Sequence, residues 1–268
     1  MSLLALLHRY RELIWNLVLR DLKSRYRGSI LGLLWTVLTP LFMALIYIFF
    51  LRLLIGRGAV IRHEEILIGV FAWQFTVQCV QSGMGSITSN ANLVKKIYFP
   101  RFIIPLSITI SALINYLLML AVQLALVTIL LVMSGSHLSG WTLLVPLIIV
   151  YHLVFNLSVA LLTAASNVYF RDTQHFIGLL LSAWFFVSPV MYSLTLLEAL
   201  AGARAWVYDL YMLNPLALII TAYRTLQIPD STFPWSTASV IGWIWPLILA
   251  VYALVAFQRA QRNFADML

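Results

Sequence analysis

Residues 102–133 read FIIPLSITISALINYLLMLAVQLALVTILLVM. No charged side chain interrupts them. About 20 apolar residues in an α-helix cross a ~30 Å hydrocarbon layer. This run is long enough to cross with tilt or to extend beyond the bilayer. Working outward, similar runs recur. Towards the N-terminus lie residues 66–85, with the more polar Gln74, Gln78 and Gln81, and residues 30–54. Towards the C-terminus lie residues 141–165, 176–191 and 238–257. The pattern predicts an all-α integral membrane protein with six transmembrane helices.

Composition agrees. Of 268 residues, 62% are hydrophobic and only 10% charged, too few charges to cover a soluble domain of this size. Mean hydropathy is +0.95. The net charge of +8 would suggest nucleic acid in a soluble protein. Here the basic residues flank apolar runs, where they set topology and meet anionic lipid, so no nucleic-acid partner is expected. The single cysteine, Cys79, excludes an intrachain disulfide framework and a cysteine-rich metal site.

The flanks fill in the architecture. Residues 3–20 predict an amphipathic helix in the membrane interface. Leu3, Leu7, Tyr10, Ile14, Leu17 and Val18 recur at helical spacing, opposite a ladder of His8, Glu12, Asn16 and Arg20. The apolar run before His8 is too short for a cleavable signal. Between the fifth and sixth runs, residues 192–237 are apolar in patches but broken by Glu198, Arg204, Asp209, Asn214-Pro215, Arg224, Pro229 and Pro234. Short re-entrant helices fit this stretch better than a further span. The expected organisation is one transmembrane domain over 1–268: interface helix and basic lead-in 1–29, first five spans 30–191, outer re-entrant segment 192–237, last span and tail 238–268.

Charge sets the orientation. Arg9, Arg11, Arg20, Lys23, Arg25, Arg27, Lys95, Lys96, Arg101, Arg171, Arg259 and Arg262 fall on one side of a six-span chain. Arg52, Arg57, Arg62, Arg204 and Arg224 fall on the other. Twelve against five places both termini in the cytoplasm.

The chain has no G-x-x-x-x-G-K-[ST], G-x-S-x-G or H-E-x-x-H. None of its nine acidic residues sits mid-span, which argues against a proton-driven carrier. His152, inside the fourth run, reads as a hydrogen bond to a neighbouring helix.

Several motifs carry a family resemblance. RDLKSRYRGS from Arg20 to Ser29, with Leu31-Gly32, Leu34-Trp35 and Pro40 after it, resembles the approach to the first span of ABC-2 type permeases. Within these it is similar to the polysaccharide and polyol-phosphate exporters (O-antigen, teichoic acid and capsule type). NLVKKIYFPR from Asn92 to Arg101, then Pro105, is similar to their second-to-third loop, and NVYFRD from Asn167 to Asp172 to their fourth-to-fifth loop. Ser188-Pro189-Val190-Met191-Tyr192 and Asn214-Pro215 with Tyr223-Arg224 complete the set in order.

The resemblance implies a half-transporter in the bacterial cytoplasmic (inner) membrane. It would act as a homodimer with two separate ATPase subunits that bind ATP and Mg, this chain holding no cofactor and having no ATPase site. The cargo would be a lipid-linked glycan or polyol-phosphate polymer. ATPase coupling would fall to Asn92, Lys95, Lys96, Phe99, Pro100, Arg101, Arg171 and Asp172, the last two also reading as a local ion pair. Arg20, Lys23, Arg25, Tyr26 and Arg27 would form a cytoplasmic gate. A polymer rich in hydroxyls needs an enclosed path, and aromatic faces suit sugar rings. Trp35, Phe42 and Phe49 recur every seven residues on the first span, and Trp184, Ser188 and Tyr192 every four on the fifth. The aromatic members are the candidate channel lining, with helix packing or lipid contact as the competing role. Two alternatives stay open. An ABC-2 exporter of a drug or lipid shares the fold. An integral-membrane enzyme acting on lipid-linked sugars needs clustered acids, whereas Asp21, Asp172 and Asp266 are scattered.

Overall fold

The computed structural model describes residues 3–55, 62–193, 205–229 and 231–268; Arg57, Glu198 and Arg204 lie outside them. Every regular element among the described residues is helical. Two helices lead in, α1 (Leu3–Arg9) and α2 (Arg11–Tyr26), and then α3 (Leu34–Ile55) and α4 (His63–Met84) follow. Short α5 (Ser86–Ser89) and α6 (Ala91–Lys96) precede the long α7 (Ile103–Met133). A 3-10 turn, Gly140–Leu144, opens α8 (Val145–Tyr169), and α9 (Thr173–Val187) comes next. Beyond residue 204 come α10 (Ala205–Met212), α11 (Pro215–Gln227), α12 (Thr237–Ala260) and the terminal turn α13 (Phe264–Met267).

Five of these helical stretches are long and apolar enough to cross a membrane: Leu34–Leu53, His63–Met84, Ile103–Met133, Gly140–Tyr169 and Thr237–Asn263. The fifth expected span, α9, has 15 residues. It stops at Val187 rather than Met191 because Ser188 precedes Pro189, and a residue before proline is forced out of the helical region. Ser188 and Tyr192 therefore stand beyond the helix, and the expected stripe of Trp184, Ser188 and Tyr192 on one helical face does not form. The lead-in also differs from expectation. It breaks at Tyr10, and its second helix continues through the basic stretch to Tyr26. The turn into α3 then uses Gly28 and Gly32, whose φ of +79° and +46° suits residues without a Cβ.

The bundle is built around α4. It packs against α7, α8, α3, α9 and α11, and its side chains are buried almost along its whole length. Gly83 lets it cross α8 closely, since a Cβ there would lie 2.6 Å from that of Ala160. Phe75 stacks on Tyr116 of α7 with centroids 4.4 Å apart. His152 on α8 makes the interhelical hydrogen bond expected of it, with Nε2 2.7 Å from Thr76 Oγ1.

A second apolar cluster closes one end of the bundle. There Leu17 of α2, Val94 of α6, Phe99, Phe102, Val168, Phe257 and Phe264 pack together, so the N-terminal helices and the C-terminal tail share one end. The opposite, far end holds the N-terminus of α4, the C-terminus of α9, and α10 and α11.

Candidate functional site

The termini end carries an open socket of about 650 Å³. Residues 94–101 form one wall, Tyr10 another, and Gln261 with Arg262 a third. Its shape follows from one buried anchor. Phe99 sits in the apolar cluster, so the loop after α6 is pulled inward. Ile97 and Tyr98 are left projecting, Tyr98 with its full surface exposed. Arg101 fixes the other side: its guanidinium donates to the Gln261 carbonyl, and its backbone N–H donates to Gln261 Oε1 at 3.2 Å. Lys95, Lys96 and Arg262 remain exposed around the rim. The result is a basic, partly apolar hollow suited to an acidic or amphipathic protein element.

Of the residues singled out for coupling, Lys95, Lys96, Phe99, Pro100 and Arg101 line this socket. Asn92 lies on the exposed side of α6 and does not. Arg171 and Asp172 are exposed at the start of α9, and the expected ion pair between them is absent, neither being in a salt bridge with a described residue. Tyr10, Gln261 and Arg262 were not singled out. They meet the loop from opposite ends of the chain, and no local signal marks them.

The gate candidates divide into two groups. Arg20 donates to Asn90 Oδ1. Arg25 donates to Asp21 at 2.8 Å and to Ser82 Oγ of α4 at 3.2 Å, and Asp21 also accepts from Ser111 of α7 at 2.5 Å. Tyr26 Oη is 2.6 Å from Thr36 Oγ1 and donates to Asn115 Oδ1 at 2.9 Å. One hydroxyl thus ties α2, α3 and α7. These three residues hold the lead-in helix to the bundle. Lys23 and Arg27 project outward, exposed.

The far end is held by two polar side chains. Asn214 caps α11, accepting from Leu216 N–H at 3.1 Å. Its Oδ1 also accepts from Trp184 Nε1 at 2.9 Å, while its Nδ2 donates to the Val187 carbonyl and Ser188 Oγ. Arg224, on the same helix and 4% exposed, donates to the carbonyls of Glu65, Pro189, Val190 and Tyr192. Four carbonyl dipoles thus partner this buried charge. Gly69 makes room, since a Cβ there would lie 2.4 Å from the Val190 carbonyl oxygen. Gly242 and Trp245 of α12 seat the turn between α10 and α11, Trp245 donating to the Leu213 carbonyl at 2.8 Å.

The aromatic candidates part company. Trp35, Phe42 and Phe49 are 50%, 55% and 63% exposed along α3. Trp184 is half-buried, held by Asn214 and packed edge-on against Phe155 at 5.9 Å. Tyr192 bonds the Phe186 carbonyl at 2.9 Å and accepts from Tyr211. Among the described residues no group of His, Cys, Asp and Glu could hold a metal ion.

Known proteins supply the context for this geometry. The chain is 31% identical to an O-antigen export system permease protein RfbA of Myxococcus xanthus, over 97% of this chain and 96% of that one. It is 30% identical to an O-antigen export system permease protein RfbA of Klebsiella pneumoniae, over 93% and 92%. The pattern that defines the ABC-2 type transporter family matches residues 12–228, a stretch that runs from the lead-in helix through the Asn214–Arg224 clamp, and the chain belongs to that family.

Proposed function

We propose that this chain is the membrane-spanning subunit of an ATP-driven exporter that moves a lipid-linked, O-antigen-like polysaccharide across the bacterial inner membrane. The observation that carries this is near end-to-end similarity to permeases named for O-antigen export, across both the basic socket and the far-end clamp. In this reading the five long apolar helices and the shorter α9 make six crossings. Helix α9 rises about 22 Å at 1.5 Å per residue, short of a ~30 Å core, and the turn at Ser188 and Pro189 carries the chain on from its end. The excess of Lys and Arg at the termini end puts that end in the cytoplasm. The far end then faces outward, with α10 and α11 as re-entrant helices whose backbone is satisfied by protein contacts.

Work requires a partner, because the sequence has no phosphate-binding loop. A separate ATPase, which binds ATP and Mg, docks in the socket against Lys95, Lys96 and Tyr98. Two permease copies and two ATPases make the working unit. The apolar, exposed faces of the two α3 helices, with Trp35, Phe42 and Phe49, supply the surface on which copies meet and the polymer passes.

Co-expression with the cognate ATPase and pulldown tests the reading. The native chain is expected to recover a two-plus-two complex whose ATPase activity belongs to the partner. Lys95→Glu with Lys96→Glu is expected to insert normally and lose most of the recovered ATPase. Full recovery by that double variant would sink the socket as the docking face. Polymer at the cell surface in a strain deleted for this chain would sink the export role.

A further inference from the structure

Two grooves flank the start of α12 at the far end, and neither takes part in the clamp. One, of about 590 Å³, runs between α8 and α12 and is walled almost wholly by aliphatic and aromatic groups, Leu147, Val154 and Leu247 among them. The other, of about 700 Å³, lies between α10 and α12 and carries Trp206 and Asp209. They meet at a shared rim, since Trp235 lines the first and its neighbour Ser236 the second.

The chemistry of the two differs in a way that selects one ligand. A sugar needs several polar partners for its hydroxyls, and the first groove offers almost none. An acyl chain needs only an apolar trough opening to hydrocarbon. The second groove adds a carboxylate. Glu64 and Glu65, at the start of α4 on the same end, are taken by Arg62 at 3.0 Å and 3.4 Å, whereas Asp209 is exposed and makes no ion pair with a described residue. Trp206, one helical turn before it, is exposed too, and indole faces attract ammonium groups. Indoles also favour the depth of lipid headgroups.

We propose that the paired grooves seat one glycerophospholipid with a primary-amine headgroup. Its ammonium rests on Asp209 between Trp206 and the rim, and one acyl chain lies in the trough between α8 and α12. The proposal rests on the reading above only for which leaflet supplies the lipid, the outer one.

The test uses the full-length chain in liposomes of equal phosphatidylethanolamine and phosphatidylglycerol, with retained lipid counted by native mass spectrometry. The ethanolamine lipid is expected to be retained over the glycerol lipid about tenfold, the ratio that ~1.4 kcal/mol confers. Asp209→Asn is expected to bring the two near parity, and Asp209→Glu to keep the preference. Val240→Trp, which fills the trough, is expected to lower retention of both. A measurement needing no variant replaces the ethanolamine lipid with phosphatidylcholine, whose quaternary ammonium donates no hydrogen bond, and reduced retention is expected. Equal retention of all three headgroups, or a preference that survives Asp209→Asn, would overturn the proposal. So would displacement of the lipid by a soluble oligosaccharide. Retention is scored without ATPase or cargo, so its failure leaves the export reading standing, and failure of export leaves the lipid result standing.

Discussion

The first two spans make an instructive pair. Of the most apolar stretch of each, 11% is buried in Leu34–Leu53 and 72% in His63–Met84. The more hydrophobic helix is the barer one. In water that would be a defect; in hydrocarbon it is not, because lipid tails are as apolar as leucine and packing is decided by shape and polar contacts. Helix α4 has both: Gly69 and Gly83 for close approach, Thr76 and the Glu65 carbonyl for hydrogen bonds. Helix α3 is joined to the rest through Thr36 and a limited packing face. Its remaining surface is free for a second copy, for cargo or for lipid.

That contrast can be broken experimentally. The largest effect is expected from Gly69→Leu on the covered span, where the new side chain collides with the Val190 carbonyl. A loss of ~4 kcal/mol or more is expected, read as failure to recover monodisperse protein. Phenylalanines on the two spans give the direct comparison. Phe75→Ala, fully buried against Tyr116, should cost ~3 kcal/mol in thermal or denaturant unfolding. Phe42→Ala should change the stability of the single chain by less than ~0.5 kcal/mol, yet reduce the cross-linked dimer. Equal destabilisation by both would show that α3 is covered within one subunit. Arg224→Lys should cost ~2 kcal/mol, because a single ammonium cannot span carbonyls on two separate segments, and melting should report it. A smaller loss than at Arg224 is expected from Tyr26→Phe, ~1 kcal/mol, seen as faster hydrogen exchange in residues 27–36 with the covered span unchanged.

The sequence exposes some of these features and hides others for physical reasons. Uninterrupted apolar runs locate α3, α4, α7, α8 and α12 because a bilayer crossing demands length and lack of charge. The reading of 176–191 runs past the end of α9, since hydropathy carries through Ser188 and Pro189 while their backbone geometry ends the helix at Val187. Lys95, Lys96 and Arg101 were visible as a motif. The Gln261 contact was not, because nothing in a local pattern announces a partner 160 residues away. Arg20, Arg25 and Tyr26 read as gate residues through the family resemblance, and their partners on other helices leave no mark in the local pattern. Folded, they find Asn90, Ser82 and Asn115 on other helices. Spacing places Trp184 on a stripe with Ser188 and Tyr192, whereas in the fold its indole nitrogen bonds Asn214, a partner 30 residues away.

Helix α7 begins beside the socket, two residues after Arg101, and runs to Met133, with its Gln123 Nε2 donating to Gln227 Oε1 of α11 at 2.7 Å. Its 31 residues make an unbroken rod of about 46 Å. A rod of that length works as a lever: each degree of tilt about its lower end carries the upper end sideways by roughly 0.8 Å. Displacement applied at the socket thus reaches the far-end clamp through one stiff element, without any relay of side-chain rearrangements between them.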